Sequence, residues 1–84
     1  MSKYMIAKQV AGKRLITNDG EELGRLVDIN VNEVTGKIES LVIEPNLDNK
    51  TARKMGKQDG MIVLPYKSVL AISDHIIVQK KDLL

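Results

Sequence analysis

The sequence contains no cysteine, and histidine occurs once, as His75. The absence of thiols excludes disulfide bonds, a thiolate nucleophile and any zinc or iron–sulfur site held by cysteine. A single histidine provides too few ligands for a stable metal site, so we interpret it as a half-exposed strand residue with local hydrogen bonds. No catalytic, cofactor-binding or metal-ligating residue is predicted, and we expect neither enzymatic activity nor a cofactor.

Aromatic residues are also scarce, with no phenylalanine or tryptophan and only two tyrosines. The apolar content comes instead from 26 isoleucine, valine and leucine residues. Branched aliphatic side chains pack well on a pleated surface, which favours strands over helices. In a chain of 84 residues, this composition predicts one small domain built from strands.

Long apolar runs and a large net charge are missing as well. The longest apolar run, Met61–Leu64, is far shorter than the ~20 residues that a transmembrane helix needs. Residues 1–12 contain no signal-peptide core. A net charge of +2 argues against a strongly basic nucleic-acid binder. We therefore expect a soluble, cytoplasmic protein.

Apolar alternation and turn residues divide the chain into six short predicted strands. They cover residues 13–16, 23–31, 37–44, 61–64, 70–72 and 75–79. In the second strand, Val27, Ile29 and Val31 alternate with polar residues, which is typical of side chains that face a core. Gly24 interrupts this pattern and indicates a bulge or a tight bend.

Between the third and fourth strands, residues 46–60 are polar and show no strong periodicity. This stretch predicts a long mobile or functional loop, with a short helix over Lys50–Met55 as an alternative for part of it. Six short strands without a long helix must bury one face against itself. The predicted fold class is therefore all-β, a small six-stranded, partly open β-barrel, with a two-sheet sandwich as the alternative.

Several turn and strand signals follow one another in an order that is more specific than any of them alone. They are Gly12-Lys13, Asp19-Gly20, Leu23-Gly24, Val27-Asp28-Ile29, Thr35-Gly36-Lys37-Ile38, Leu41-Val42-Ile43, Leu64-Pro65-Tyr66, Val69, Ile72-Ser73-Asp74 and Ile76-Ile77-Val78. This order resembles the PRC-barrel family. The resemblance covers residues 12–79 as one domain, between an N-terminal extension (1–11) and a C-terminal tail (80–84).

The resemblance implies a non-catalytic barrel that acts as an interaction module. The family includes the cytoplasmic domain of the photosynthetic reaction-centre H subunit and the C-terminal domain of the ribosome-maturation factor RimM. This chain is most similar to short free-standing archaeal members, some of which act in cell division as partners of the membrane-linked factor SepF. A protein-interaction adaptor is the first functional expectation, and an RNA- or ribosome-associated module of the RimM type is the alternative.

One cluster of basic residues suggests a binding surface. Lys50, Arg53, Lys54 and Lys57 would share one side of a helix if residues 49–57 were helical. Such a patch would attract the phosphates of RNA or acidic lipid, or the carboxylates of an acidic protein. The alternative is a solvated, lysine-rich loop, because no aromatic residue accompanies the charges to stack on bases.

Two strands are apolar on both faces, which predicts a contact surface on whichever face points outward. The predicted interaction residues are Leu41, Val42, Ile43, Ile62 and Leu64. A second copy in a homodimer, a protein partner, or the N-terminal segment around Met5 and Ile6 would cover the outward set. The basic cluster would lie at the rim and steer acidic partners.

Overall fold

The computed structural model describes residues 11–83 as one sheet with a short helix. The strands are β1 (Arg14–Thr17), β2 (Glu22–Val31), β3 (Ile38–Pro45), β4 (Ile62–Pro65), β5 (Val69–Ile72) and β6 (Ile76–Val78). The helix α1 (Lys50–Lys54) follows β3, and 3₁₀ turns cover Tyr66–Ser68 and Lys80–Asp82. Within this part of the chain, no helix has the length and apolar content needed to span a membrane.

The strands are hydrogen-bonded in the order β4-β3-β2-β1-β6-β5. Neighbouring strands are antiparallel except β1 and β6, which run parallel with Leu15 opposite Ile76. β4 and β5 are the two ends of the sheet and are not paired with each other, so the barrel stays open between them. The predicted all-β, six-stranded, partly open barrel is therefore confirmed.

β2 is bent by two extra residues. Leu15 pairs with Gly24 and Ile16 with Glu22, so Leu23 has no opposite residue in β1. Further along, Leu26 pairs with Ile43 and Asp28 with Val42, which leaves Val27 without an opposite residue in β3. The register changes beside Gly24 as the sequence indicated.

The second bulge corrects the predicted alternation of β2. Leu26 and Ile29 are both buried, whereas Val27 is 45% exposed. An extra residue at position 27 shifts the side-chain parity by one, so Leu26 and Ile29 share the inner face although three positions separate them. The prediction that Val27 faces the core is therefore wrong.

The inner face of the sheet forms the hydrophobic core. Its buried members are Leu15, Leu23, Leu26, Ile29, Leu41, Ile43, Ala52, Met55, Ile62, Leu64, Ile76 and Val78. Burying a full valine, leucine or isoleucine side chain stabilises a fold by ~1.5–3 kcal/mol, so these aliphatics are the main source of stability. Leu41, Ile43, Ile62 and Leu64 belong to this core, which corrects their prediction as outward-facing interaction residues.

Helix α1 closes one end of the barrel. Asn49 caps the helix, because its Oδ1 accepts the Ala52 N–H at 2.8 Å. Thr51, Ala52 and Met55 are buried against the barrel. The helix predicted as the alternative for the 46–60 stretch therefore forms, although it ends at Lys54 rather than Met55.

We expect Gly24→Ala to destabilise the fold strongly, because β3 leaves no room for a side chain at this position. A Cβ at residue 24 would overlap the Glu44 carbonyl oxygen and lie 2.9 Å from Ile43 Cγ2. The expected loss is on the order of 3 kcal/mol in the free energy of unfolding, measured by urea titration. Gly56→Ala is the matched control, since a Cβ there meets nothing within 4 Å. Equal stabilities of the two variants would contradict this account of the bulge.

Candidate interaction surface

A row of three valines crosses the outer face of β2, β3 and β4. Val42 lies opposite Asp28 in β2 and opposite Val63 in β4, and Val27 precedes Asp28 at the bulge. Val27 is 45% exposed, Val63 is 36% exposed and Val42 is half-buried. Cross-strand neighbours on one face contact each other, so the three side chains form a continuous apolar surface, here called the valine row.

Polar residues border the valine row on both sides. Arg25 and Glu44 are opposite each other in the adjoining cross-strand pair of β2 and β3. On the other side, Asn30 Nδ2 donates to Ser40 Oγ at 2.7 Å. An apolar centre with a polar, hydrogen-bonding rim is the usual composition of a protein–protein contact.

The structure keeps one of the five predicted interaction residues on the outer face. Val42 points outward, whereas the other four are in the core. Val27 and Val63 were missed. Val63 could have been found as the residue that alternates with Ile62 and Leu64, and Val27 as the odd residue between Leu26 and Ile29. The proposed cover around Met5 and Ile6 lies outside the described residues.

The basic cluster is divided by the end of α1. Lys50, Arg53 and Lys54 are exposed on the helix, and none of them takes part in an ion pair within residues 11–83. Met55 is extended, with φ −72° and ψ 145°, so the chain leaves the helix before Lys57. The prediction that all four cations share one helical side is therefore wrong for Lys57.

Lys57 stabilises the C-terminus of α1 instead of extending its basic side. Its ammonium group donates to the carbonyl oxygens of Ala52 at 2.8 Å, Met55 at 3.1 Å and Arg53 at 3.3 Å. Carbonyl groups at the end of a helix lack intrahelical partners and carry partial negative charge, so a lysine there is favourable. Lys57 thus helps to hold the three exposed cations in a fixed arrangement.

A second charged group joins three separate segments of the chain. Lys80 Nζ forms ion pairs with Asp19, at 3.1 Å, and with Glu21. The Glu21 carboxylate also accepts from Thr51 Oγ1 at 3.0 Å and from Asn49 Nδ2 at 3.3 Å. These contacts link the β1–β2 turn to α1 and to the C-terminal 3₁₀ turn.

The pKa values in this cluster move away from neutrality. A hydrogen bond from Lys80, followed by one from Thr51, lowers the pKa of Glu21. A hydrogen bond from Thr17, followed by one from Lys80, lowers the pKa of Asp19. Hydrogen bonds to Glu21 and Asp19 raise the pKa of Lys80. A general acid or base needs a pKa close to the working pH, so this arrangement suits a structural ion-pair cluster.

His75 lies in the turn between β5 and β6 rather than inside a strand, and it is exposed. Its carbonyl oxygen accepts the Ser73 N–H at 3.0 Å. Among residues 11–83, no group of three or more acidic or histidine side chains is placed to hold a metal ion.

Comparison with known families agrees with this architecture. The PRC-barrel domain matches residues 3–84, which is nearly the whole chain. The chain belongs to the PRC-barrel family. The PRC-barrel domain is a non-catalytic small β-barrel fold, which accords with the open six-stranded sheet described above.

Two relatives of this PRC-barrel chain come from different domains of life. An uncharacterized protein of Methanocaldococcus jannaschii is 32% identical over 79 residues, which cover 94% of this chain and 85% of that protein. The probable sporulation protein YlmC of Bacillus subtilis is 28% identical over 61 residues, covering 73% of this chain and 72% of the relative.

The ion-pair cluster of this PRC-barrel chain makes its stability depend on pH at both extremes. Because the pKa values of Asp19 and Glu21 lie below their ordinary values of 3.8 and 4.5, their ionised forms stabilise the fold above those values. That contribution is lost as the pH falls through the lowered pKa values. The contribution of Lys80 is present below its ordinary value of 10.5 and is lost as the pH rises past its raised pKa.

We expect Lys80→Met to reduce the loss of stability in acid, since both carboxylates would lose their shared cation. The free energy of unfolding by urea, measured from neutral pH down to strong acid, checks this. Lys81→Met is the control, because Lys81 is exposed and forms no ion pair within the described part of the chain. The same acid dependence in wild type and Lys80→Met would contradict the assignment.

Proposed function

We propose that this PRC-barrel protein is a non-catalytic protein-interaction adaptor that binds a partner through the valine row. The observation that carries the proposal is the continuous apolar surface of Val27, Val42 and Val63 on the outer face. Scattered single apolar residues are normal on protein surfaces, whereas a contiguous apolar row with a polar border is typical of a contact site.

The size of the valine row suits a contact of moderate strength. Covering each partly exposed valine would contribute on the order of 1 kcal/mol, less than full burial provides. Association also costs translational and rotational freedom, so additional polar contacts at the rim are needed for stable binding. Arg25, Glu44, Asn30 and Ser40 can supply such contacts from both sides of the row.

The geometry of the charged groups supports a non-catalytic role. Asp19, Glu21 and Lys80 are engaged with one another and with the ends of the barrel. Their pKa values lie further from neutrality than those of free side chains, which keeps them ionised rather than ready to exchange protons. The cluster therefore acts as a support for the fold.

The partner class follows from the resemblance to short archaeal PRC-barrel proteins. A cytoplasmic protein of the SepF type, the membrane-linked division factor, is the first candidate to test. The three exposed cations of α1 would favour a partner with acidic groups beside its apolar contact residues, because opposite charges accelerate encounter and orient it.

We expect Val42→Lys to abolish partner binding without unfolding the protein, because Val42 is at the centre of the valine row. Affinity for a purified SepF-type factor should fall at least ~10-fold, the cost of losing about 1.4 kcal/mol. Val34→Lys is the matched control, since Val34 is 94% exposed in the β2–β3 turn, away from the row. Circular dichroism and urea unfolding verify that both variants fold.

If the SepF-type factor does not bind wild type, proteins captured from a native extract by wild type, Val34→Lys and Val42→Lys are compared. A partner of the valine row is retained by the first two proteins and lost by the third. Identical capture by all three would refute the valine row as the binding surface.

The alternative function, an RNA- or ribosome-associated module, depends on Lys50, Arg53 and Lys54. If these cations bind RNA phosphates, affinity should fall with salt with a log–log slope of about −2, for three phosphates of single-stranded RNA. Fluorescence anisotropy over a salt series measures that slope. Arg53→Glu should weaken such binding, whereas Val42→Lys should leave it unchanged. Salt-independent binding, or none, would exclude this alternative.

A further inference from the structure

The core of the barrel is incomplete at the edge formed by β5. Ile72 lies opposite the buried Ile76 and therefore shares the inner face with it. Ile72 nevertheless remains 40% exposed, and Leu70 is 55% exposed. Ala71 is exposed between them, so three consecutive apolar residues of this terminal strand face solvent.

The backbone of β5 also has hydrogen-bonding groups directed to the open edge. The Ser73 N–H donates to His75 across the β5–β6 turn. In an antiparallel ladder, hydrogen-bonded and non-hydrogen-bonded pairs alternate. Ala71 and Ile77 therefore exchange bonds, and the N–H and C=O of Ile72 point away from β6. Within residues 11–83 no strand pairs with this edge.

The two ends of the sheet differ in their protection. β4 terminates in Pro65, which has no N–H to donate to a new strand. β5 contains no proline and no charged residue, and natural edge strands commonly use such residues to prevent pairing. β5 is therefore the edge that can accept an additional strand.

We propose that β5 pairs with β5 of a second copy, in an antiparallel arrangement around a two-fold axis at Ala71. In this register Ala71 faces its own counterpart as a non-hydrogen-bonded pair, the closest type of cross-strand pair, which a small side chain fits. Leu70 lies opposite Ile72 of the second copy and covers it. The dimer surface is separate from the valine row and does not depend on the proposed adaptor function.

The charges at the ends of β5 favour a second copy as the occupant. Lys67 precedes the strand, Asp74 follows it, and both are exposed. Antiparallel pairing of identical strands brings the end with Lys67 beside the end with Asp74, twice in each dimer. Neither residue takes part in an ion pair within the described part of the chain. The edge is thus complementary to itself in both charge and apolar character.

The oligomeric state of full-length Leu70→Lys, compared with wild type by sedimentation velocity over a concentration series, tests the proposal. A lysine at the centre of the pair should raise the dimer dissociation constant at least tenfold. Leu47→Lys is the matched control, because Leu47 is 65% exposed in the turn before α1. A monomeric wild type, or a dimer that Leu70→Lys does not weaken, would overturn the proposal.

Cysteine cross-linking tests the register, since the chain contains no natural cysteine. Oxidised Ala71→Cys should form a covalent dimer, because the two Cβ atoms of such a pair are roughly 4.5–5.5 Å apart. Ile72→Cys should cross-link much less, since it faces Leu70 rather than itself. Preferential cross-linking of Ile72→Cys would refute the two-fold axis at Ala71.

Charge exchange distinguishes this dimer from one at the valine row. Lys67→Asp should weaken the dimer several-fold, and adding Asp74→Lys to it should restore association. Val42→Lys should leave the dimer intact while it loses the partner. A dimer that is lost in Val42→Lys but kept in Leu70→Lys would place self-association on the outer face and overturn the β5 proposal.

Discussion

The fold depends on the ability of β2 to bend. This strand must pair with β1 along its first half and with β3 along its whole length, while the sheet encloses a core of aliphatic side chains alone. A regular strand would direct alternate residues to solvent and would curve too little. The extra residues at Leu23 and Val27 bring Leu23, Leu26 and Ile29 to the inner face. Gly24 permits the close approach of β3 that this curvature requires.

The same bulge that completes the core also creates the candidate contact site. When position 27 is inserted, Leu26 and Ile29 remain inside, and Val27 joins Val42 and Val63 on the outer face. The ends of the barrel are held separately, by α1 and by the Asp19–Glu21–Lys80 cluster. The outer face therefore carries no structural duty that would conflict with binding a partner, and its residues can change with less effect on the fold.

The sequence was sufficient to predict the strands, their approximate bounds and the bulge beside Gly24, because these depend on local turn chemistry and on alternation. It was insufficient to predict which way the side chains face. Strands β3 and β4 are apolar on both parities, so periodicity could not decide that Leu41, Ile43, Ile62 and Leu64 point inward. The parity is set by pairing with β2, whose second bulge has no glycine to announce it. A tertiary constraint thus overrode the local pattern.

The basic cluster illustrates a different limit. Spacing alone placed Lys57 with Lys50, Arg53 and Lys54, because helical periodicity was extended past the point where the helix ends. The end of α1 is set by burial of Met55 in the barrel, which draws the chain away from the helix axis. Lys57 then reaches back to the carbonyl groups that this departure exposes. A contact with the core therefore decides the role of a surface residue.

The parallel pairing of β1 with β6 links the first strand of the barrel to the last. Leu15 and Ile76 are about sixty residues apart in sequence, yet they lie side by side. During synthesis, β1 to β4 can emerge from the ribosome and associate as antiparallel neighbours, but the inner face of β1 stays uncovered until β6 has been made. Such distant pairing carries a large loop-closure cost and slows folding. The nascent chain therefore exposes an apolar strand throughout most of its translation, and β6 is the element that ends this exposure.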